Sequence, residues 1–222
     1  MSLRYELAVF DLDGTLCDTA PDIGRCLDRA MADFGLPPVP RDKLLRAIGP
    51  GGTAFHRAIM PSEEAMPLAG KIVERYRGYY MKENTELTRP FPGIVEMLEE
   101  CHGVGLSMAV ASNKPQEQTR QIVTNLGLDR FFFDVAGPES VALPKPAPDI
   151  IHRLMEWEGA IRSPQCSAMV GDTDNDMNAG RAAGVTTVFV TWGYMAQFDI
   201  LSENIDRVVS TPSELASVLT GK

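Results

Sequence analysis

The sequence predicts a doubly wound α/β fold, in which helices cover both faces of a parallel sheet. Between residue 91 and the C-terminus, short apolar runs alternate with amphipathic stretches of helical periodicity. Strands that alternate with helices in this way form parallel sheets. A block of about 70 residues after the first apolar run shows helical periodicity only. This block predicts an all-helical cap domain that is inserted into the α/β core.

Length and charge limit the class of protein. The 222 residues suit one large domain with a smaller insert, and the net charge is −9. An acidic chain is a poor partner for nucleic acid or an anionic membrane surface, since both attract basic proteins. No apolar run approaches the roughly 18 residues of a membrane span. The four cysteines form no CxxC pair, so we expect neither structural zinc nor disulfides, and a cytoplasmic protein.

The first elements follow from apolar runs and helix signals. Residues 6–10, Glu-Leu-Ala-Val-Phe, form a mainly apolar run that ends in a polar turn, which predicts a buried strand. A helix is predicted from residue 18 or 19, because Pro21 suits its first turn, and Gly35 with two following prolines ends it. Three further helical segments complete the cap, at residues 42–48, 53–60 and 62–82.

The second half of the chain alternates between the two element types. Predicted strands cover residues 106–111, 131–135, 167–170, 186–190 and 207–209. Predicted helices cover residues 94–102, 116–126, 148–158, 174–183 and 212–219. We therefore expect the core to comprise residues 1–16 and 91–222, and the cap residues 17–90.

Polar motifs follow the predicted strands or lead into their neighbouring helices. Residues 11–16 read Asp-Leu-Asp-Gly-Thr-Leu, and Ser112-Asn113-Lys114 follows the second core strand. Lys145-Pro146 precedes the helix that leads to the fourth strand, and residues 171–176, Gly-Asp-Thr-Asp-Asn-Asp, follow that strand. Ligands of open α/β sheets bind beyond the carboxyl ends of the strands. The four motifs therefore predict one site at this rim.

In these four ordered motifs the chain resembles the haloacid dehalogenase superfamily, specifically its phosphatase branch with a helical cap after the first motif. The resemblance implies a Rossmann-like core carrying that cap. Three further segments look most like those of phosphoglycolate phosphatases: residues 18–23, Asp-Thr-Ala-Pro-Asp-Ile; Phe91-Pro92-Gly93; and Trp192-Gly193-Tyr194.

The resemblance assigns Asp11 as a nucleophile that attacks phosphorus and forms an aspartyl-phosphate. Asp13 lies two residues on, and we expect it to protonate the leaving oxygen and then to activate water. Lys145 supplies a fixed positive charge. Asp11, Asp172 and Asp176, with the carbonyl of Asp13, form the expected Mg²⁺ ligands. Whether Asp176 contacts the metal directly or acts through water or Lys145 stays open.

Substrate contacts are expected from the core and from the cap. Ser112 and the amide of Asn113 are assigned to phosphate oxygens. The cap turn that opens a helix contains Gly49, Gly51 and Gly52, whose free N–H groups could receive a substrate carboxylate. Arg46 and His56 lie near it in the sequence, and the alternative is a flexible interhelical turn with no ligand.

The expected activity is Mg²⁺-dependent hydrolysis of a small phosphorylated metabolite, with 2-phosphoglycolate as the leading candidate. Pyrophosphatase activity and a phosphomutase of the β-phosphoglucomutase type stay open. A non-enzymatic alternative is a phosphorylation switch resembling receiver domains, although these are about half as long and have no cap. A dehalogenase is disfavoured, because that branch works without metal. The sequence does not determine the oligomeric state.

Overall fold

The computed structural model describes residues 4–157, 160–195 and 205–222. The strands are β1 (Leu7–Phe10), β2 (Cys17–Asp18), β3 (Arg89–Pro90), β4 (Ser107–Ala111), β5 (Asp134–Ala136), β6 (Glu156–Trp157), β7 (Ala160–Ile161), β8 (Ser167–Gly171), β9 (Thr186–Val190) and β10 (Arg207–Val209). Six of them form one parallel sheet in the order β10-β9-β8-β1-β4-β5. The predicted doubly wound sheet is confirmed.

The helices are α1 (Ala20–Asp33), α2 (Arg41–Ala47), α3 (Gly52–Ile59), α4 (Ala69–Glu83), α5 (Ile94–Gly103), α6 (Gln116–Asn125), α7 (Asp149–Met155), α8 (Asp174–Ala183) and α9 (Pro212–Thr220). Within the described ranges, none of these helices combines the length and the apolar character that a membrane crossing requires.

Strand β1 lies at the point in the sheet where the order of strand addition reverses. The chain adds β4 and β5 on one side of β1 and then returns to add β8, β9 and β10 on the other. Phe10 pairs in register with both Val110 and Val170, so the residues that follow these three strands emerge at the same edge. This is the position at which open α/β sheets bind ligands.

The two faces of the sheet are buried by different helices. Leu7 and Val9 of β1 pack with residues of α7 and α8, whereas Ala8 and Phe10 pack in the cluster that contains α5, α6 and α9. Successive side chains of a strand point to opposite faces, so a strand covered on both sides is apolar throughout. That requirement explains why β1 reads as a continuous apolar run.

Helices α1 to α4 lie between β1 and β4 in the chain, and α1 packs along α4. At the base of this block, β2 pairs antiparallel with β3, Cys17 opposite Pro90 and Asp18 opposite Arg89. The sequence indicated no strand here, because a pair of two-residue strands leaves no periodic signal. The proposed division of the chain into core and cap, after residue 16 and after residue 90, falls at this ribbon and stays a prediction.

Three predicted elements need correction. The predicted helix 62–82 is instead a 3₁₀ turn, Glu63–Leu68, followed by α4, because Pro67 supplies no N–H for a continuous helix. The predicted strand 131–135 is shifted to Asp134–Ala136, since Asp129–Phe131 forms another 3₁₀ turn. The predicted helix 148–158 ends at Met155, where β6 begins; its predicted last residue lies outside the described residues.

Asp22 joins the start of the cap to its end. Its carboxylate is fully buried on α1, and Oδ2 accepts hydrogen bonds from the N–H groups of Leu87 and Thr88, each at 2.8 Å, and from the Thr88 hydroxyl at 2.9 Å. Arg25 bonds Oδ1 at 2.9 Å. Burial by itself would raise the pKa of Asp22, but these hydrogen bonds outweigh it and lower the pKa.

Asp22→Asn should lower the free energy of unfolding by about 2 kcal/mol, because it replaces charge-assisted bonds to buried donors with weaker ones. The native pKa lies below the value of about 3.9 in the unfolded chain. The contribution of Asp22 is therefore present above that pH and is lost as the pH falls through the native pKa. Urea unfolding at pH 7 and at decreasing pH measures both effects. The exposed Asp33→Asn is the control, and equal losses in the two variants would contradict the prediction.

Candidate active site

The four polar motifs meet at the carboxyl edge of the sheet. Asp11 follows β1, Ser112 follows β4 and Asp172 follows β8. The strand register places Asp11 one residue short of the level of Ser112 and Asp172, so the three residues lie at the same edge. Lys145 and Asp176 lie in the same region, bonded to each other at 2.6 Å. All five residues are buried. The predicted convergence is thus present in the structure.

Lys145 connects two of the carboxylates. Its Nζ donates to Asp11 Oδ1 at 2.8 Å, to Asp176 Oδ1 at 2.6 Å and to the carbonyl oxygen of Ala111 at 2.6 Å. Only 3% of the residue is exposed. Burial lowers the pKa of the Lys145 amine, but the charges of Asp11 and Asp176 outweigh burial and raise it above its ordinary value. Lys145 therefore stays charged and fixed beside Asp11.

Asp172 is held from two sides. The Thr15 hydroxyl donates to Oδ1 at 3.1 Å, and the backbone N–H of Tyr194 donates to Oδ2 at 2.7 Å. Burial raises the pKa of Asp172 well above its usual range, and the charges of Asp11 and Asp176 add to this effect. The Asp172 carboxylate is thus held in a buried position where its ionised form is unfavourable.

The chemistry of this donor set fits a hard divalent cation. One oxygen each of Asp11, Asp172 and Asp176 lies within 4.8 Å of the other two. Burial raises the pKa of Asp11 to about 7; the charge of Lys145 opposes this rise, and those of Asp176 and Asp13 add to it. Mg²⁺ prefers carboxylate oxygens and would offset the repulsion among the three carboxylates that the charge of Lys145 does not balance. The three residues can therefore hold such an ion.

Asp176 has partners for both of its oxygens. Besides Lys145 on Oδ1, the N–H and the hydroxyl of Thr173 bond Oδ2 at 3.1 and 2.6 Å, which forms the capping box of α8. The carboxylate of Asp13 is not part of the acidic cluster. A contact from Asp13 to the metal would have to come from its carbonyl, as the sequence analysis expects.

The Asp13 carboxylate faces two donors that sequence reasoning missed. Thr19 donates its hydroxyl to Oδ1 at 2.5 Å, and Lys114 Nζ lies 2.9 Å from Oδ2. Lys114 is 9% exposed and its Nζ lies 4.9 Å from the ring centroid of Tyr80. The signal for Lys114 was its place in the motif after β4; nothing local indicated that it would reach the first motif.

The side-chain amide of Asn113 is hydrogen-bonded to backbone carbonyls, so it offers no free N–H to the cleft. Its Nδ2 donates to the carbonyl oxygens of Gly49 at 3.1 Å and Lys145 at 2.8 Å. The buried Oδ1 has no hydrogen-bond partner in the described chain. Ser112 Oγ accepts from the N–H of Lys114 at 3.2 Å. The assigned phosphate contact of Asn113 would therefore fall on its backbone N–H.

The cap closes the cleft above these residues. Gly49 and Gly51, before α3, and Gly52, its first residue, line the cleft, and their contact with substrate stays a prediction. Gly51 has φ +65°, and a Cβ there would lie 2.7 Å from the carbonyl oxygen of Asn113, so only glycine permits this approach. His56 also lines the cleft, whereas Arg46 is exposed on α2 and is not among the lining residues. A contact of Arg46 with substrate stays a prediction.

Arg77 of α4 reaches the cleft where Arg46 does not. Arg77 lines it together with His56. Burial lowers the pKa of His56, and the nearby charge of Arg77 lowers it further. Nothing in the sequence pointed to Arg77, because it lies about 30 residues from Arg46 in a different helix.

Comparison with known proteins identifies the class. The family model for haloacid dehalogenase-like hydrolases matches residues 8–190. The chain therefore belongs to the haloacid dehalogenase-like hydrolases. It is 38% identical over 191 residues to a phosphoglycolate phosphatase of Agrobacterium fabrum, which covers 85% of this chain and 81% of the relative.

Two further comparisons span almost the whole chain. A phosphoglycolate phosphatase of Aquifex aeolicus is 32% identical over 211 residues, 95% of each chain. A crystal structure described as a predicted phosphoglycolate phosphatase from Haemophilus somnus has a TM-score of 0.85 at 25% identity, over 97% of this chain and 98% of that one. The expected family and its phosphoglycolate phosphatase-like character are confirmed, and a receiver-like switch is not supported.

Asp172→Asn is expected to separate stability from metal binding. The substitution removes one of three crowded charges, while an amide can still accept from Tyr194 N–H and donate to Thr15. In EDTA the variant should unfold at the same or a higher temperature than the wild type. At an Mg²⁺ concentration 100 times its Kd the wild type should gain about 2.7 kcal/mol, and the variant much less. Thermal unfolding, with the exposed Asp129→Asn as control, measures both effects. If Mg²⁺ stabilised Asp172→Asn as much as the wild type, the prediction would be contradicted.

Proposed function

We propose that this protein is a Mg²⁺-dependent phosphomonoester hydrolase that works through an aspartyl-phosphate on Asp11, with 2-phosphoglycolate as its substrate. The observation that carries the proposal is the buried Asp11–Lys145 pair, because Asp11 belongs to a set of carboxylates that could hold a cation and also lines the cleft covered by the cap. The phosphoglycolate phosphatases among its relatives support the choice of substrate.

Asp11 has one oxygen available for attack. Lys145 bonds Oδ1, and Oδ2 has no hydrogen-bond partner within the ranges that the structure describes. In the proposed reaction Oδ2 forms a bond to phosphorus as the ester oxygen leaves with a proton from Asp13. Water then attacks phosphorus, its proton passes to Asp13, and the Asp11 carboxylate is regenerated with release of phosphate.

Each remaining residue has a specific task in this scheme. Thr19 and Lys114 hold the Asp13 carboxylate from both oxygens. Ser112 and the backbone N–H of Asn113 are proposed to bind phosphate oxygens. Mg²⁺, held by Asp11 and Asp172 with the Asp13 carbonyl and supported by Asp176, would supply positive charge to the phosphate. The protein needs that charge because its own acids surround a dianion.

The cap end of the cleft favours an anionic group beyond the phosphate. Arg77 forms no ion pair with any acid in the described parts of the chain, and the half-buried His56 lies beside it. Asp11 and Asp13, which belong to the core and line the same cleft, are already paired with lysines. A small molecule with a phosphate at one end and a carboxylate at the other fits this separation of charge.

Asp11→Asn should reduce phosphate release by about 1,000-fold or more, because the amide is a poor nucleophile. The test is a Mg²⁺-dependent phosphate-release screen over 2-phosphoglycolate, pyrophosphate, sugar phosphates and nucleotides, with Asp129→Asn as control. Wild-type turnover by Asp11→Asn would remove the nucleophile assignment. A preference for pyrophosphate, or interconversion of sugar phosphates with little free phosphate, would replace the proposed substrate by the corresponding alternative.

Arg77→Gln should raise the KM for 2-phosphoglycolate about tenfold or more, the effect of losing one charge-assisted hydrogen bond. Hydrolysis of p-nitrophenyl phosphate, which carries no carboxylate, should be unchanged. Arg75→Gln is the matched control, since Arg75 lies on the same helix but faces Asp33 at 3.5 Å. If Arg46→Gln rather than Arg77→Gln raises this KM, the assignment from the sequence is the right one.

A further inference from the structure

Tyr194 belongs to a motif, Trp192-Gly193-Tyr194, that the proposed chemistry does not use. The motif follows β9 at the same edge of the sheet as the acidic cluster, and Tyr194 is 5% exposed. Its ring packs against Phe91, with the centroids 6.5 Å apart. Phe91 directly follows β3, where the chain leaves the cap. Tyr194 therefore lies between the acidic site and the base of the cap.

This motif contacts both the acidic cluster and the first motif. The N–H of Tyr194 donates to Asp172 Oδ2 at 2.7 Å, and the indole Nε1 of Trp192 donates to the carbonyl oxygen of Thr15 at 3.0 Å. A Cβ on Gly193 would overlap the side chain of Asp172. Glycine at this position therefore allows the loop to approach Asp172 closely enough for the hydrogen bond.

The hydroxyl of the same residue holds the first turn of the cap. It accepts hydrogen bonds from the N–H groups of Thr19 at 2.6 Å and Ala20 at 2.9 Å, and donates to Asp18 Oδ1 at 2.9 Å. Helix α1 begins at Ala20, and Thr19 makes no side-chain capping bond at its N-cap. The first N–H groups of a helix need acceptors, and Tyr194 supplies one from elsewhere in the chain.

Because the Tyr194 hydroxyl accepts from the first N–H groups at the start of α1, the Thr19 hydroxyl is left for another hydrogen bond. An N-cap threonine ordinarily uses its hydroxyl on its own helix. Here that hydroxyl donates to Asp13 Oδ1 instead. Tyr194 thus contacts both parts of the site. Its N–H donates to Asp172, and its hydroxyl holds the backbone of Thr19, whose side chain donates to Asp13.

We propose that Tyr194 is a positioning residue, whose hydroxyl fixes the start of α1 and hence the Thr19 hydroxyl on Asp13, while its backbone N–H fixes Asp172. The inference rests on the proposed function, in which Asp13 protonates the leaving oxygen. If Tyr194 only filled space beside Phe91, loss of its hydroxyl would change stability and leave the chemistry of the leaving group unaltered.

Tyr194→Phe in the full-length enzyme with Mg²⁺ separates these two roles. Loss of alignment at a general acid costs most for a poor leaving group. The kcat/KM for 2-phosphoglycolate should fall about 10- to 100-fold, and that for p-nitrophenyl phosphate less than about 3-fold. The Mg²⁺ concentration for half-activation should not change, because the N–H of residue 194 is kept.

Tyr79→Phe is the matched control, since it removes a tyrosine hydroxyl bonded to a carboxylate, Asp33 Oδ2 at 2.6 Å, within the cap and away from the cleft. It should keep the wild-type ratio between the two esters. Thr19→Val should reproduce the altered ratio, and adding Tyr194→Phe to it should change the ratio little further, because both substitutions break one chain of contacts.

The outcomes distinguish this inference from the proposed function. Equal losses of kcat/KM on both esters, or no loss, would overturn the role of Tyr194 while Asp11-dependent phosphate release stands. Absence of phosphate release from every ester in the wild type would instead overturn the proposed function. Hydrogen exchange at the Thr19 and Ala20 amides needs no activity: Tyr194→Phe should accelerate it and Tyr79→Phe should not, and unchanged exchange in Tyr194→Phe would exclude the capping contact.

Discussion

The hydrogen bonds of Lys145 to Asp11 and Asp176 are the interactions on which the rest of this site depends. Several carboxylates are buried at the ends of β1 and β8, where each would repel the others. A buried charge is stable only when it is paired and hydrogen-bonded. Lys145 meets that need for two carboxylates, and backbone and hydroxyl donors meet it for Asp172. What remains is an excess of negative charge that suits a divalent cation.

The sheet topology makes this concentration of charge possible. Parallel strands bring the ends of β1, β4 and β8 to one edge, so residues about 100 and 160 positions apart in the sequence meet there. The apolar strands need no polar partners from their side chains, because the helices bury both faces. The polar groups can therefore be concentrated at the edge.

The cap is held by polar contacts, and some of these also touch the site. Asp22 ties the start of the cap to its end, and Asn113 bonds both Gly49 of the cap and the backbone of Lys145. Tyr194 bonds the first turn of α1. The same hydrogen bonds consequently position the cap and shape the site. The apolar packing of the cap helices alone would not align the cap with the site. This arrangement ties the position of the cap to the geometry of the acidic site.

Local patterns were sufficient for the order and type of the main elements. The alternating strands and helices of residues 94–190 follow from periodicity, and the boundaries of α8 and β9 agree with it, because capping residues and Gly184 mark them. Pro67 breaks a helix that periodicity alone would continue. The paired ribbon of β2 and β3 was not predictable, since its short strands exist only through pairing across about 70 residues.

The sequence by itself determined the class of this protein and the acids and lysine of its four motifs, because motif order along a doubly wound sheet implies their convergence. Tertiary structure alone decided their partners. It placed Lys114 on Asp13, Arg77 rather than Arg46 at the cleft, and the Tyr194 hydroxyl at the start of α1. The physical reason is that long side chains bond whatever the fold brings within about 3 Å, and no local pattern encodes that distance.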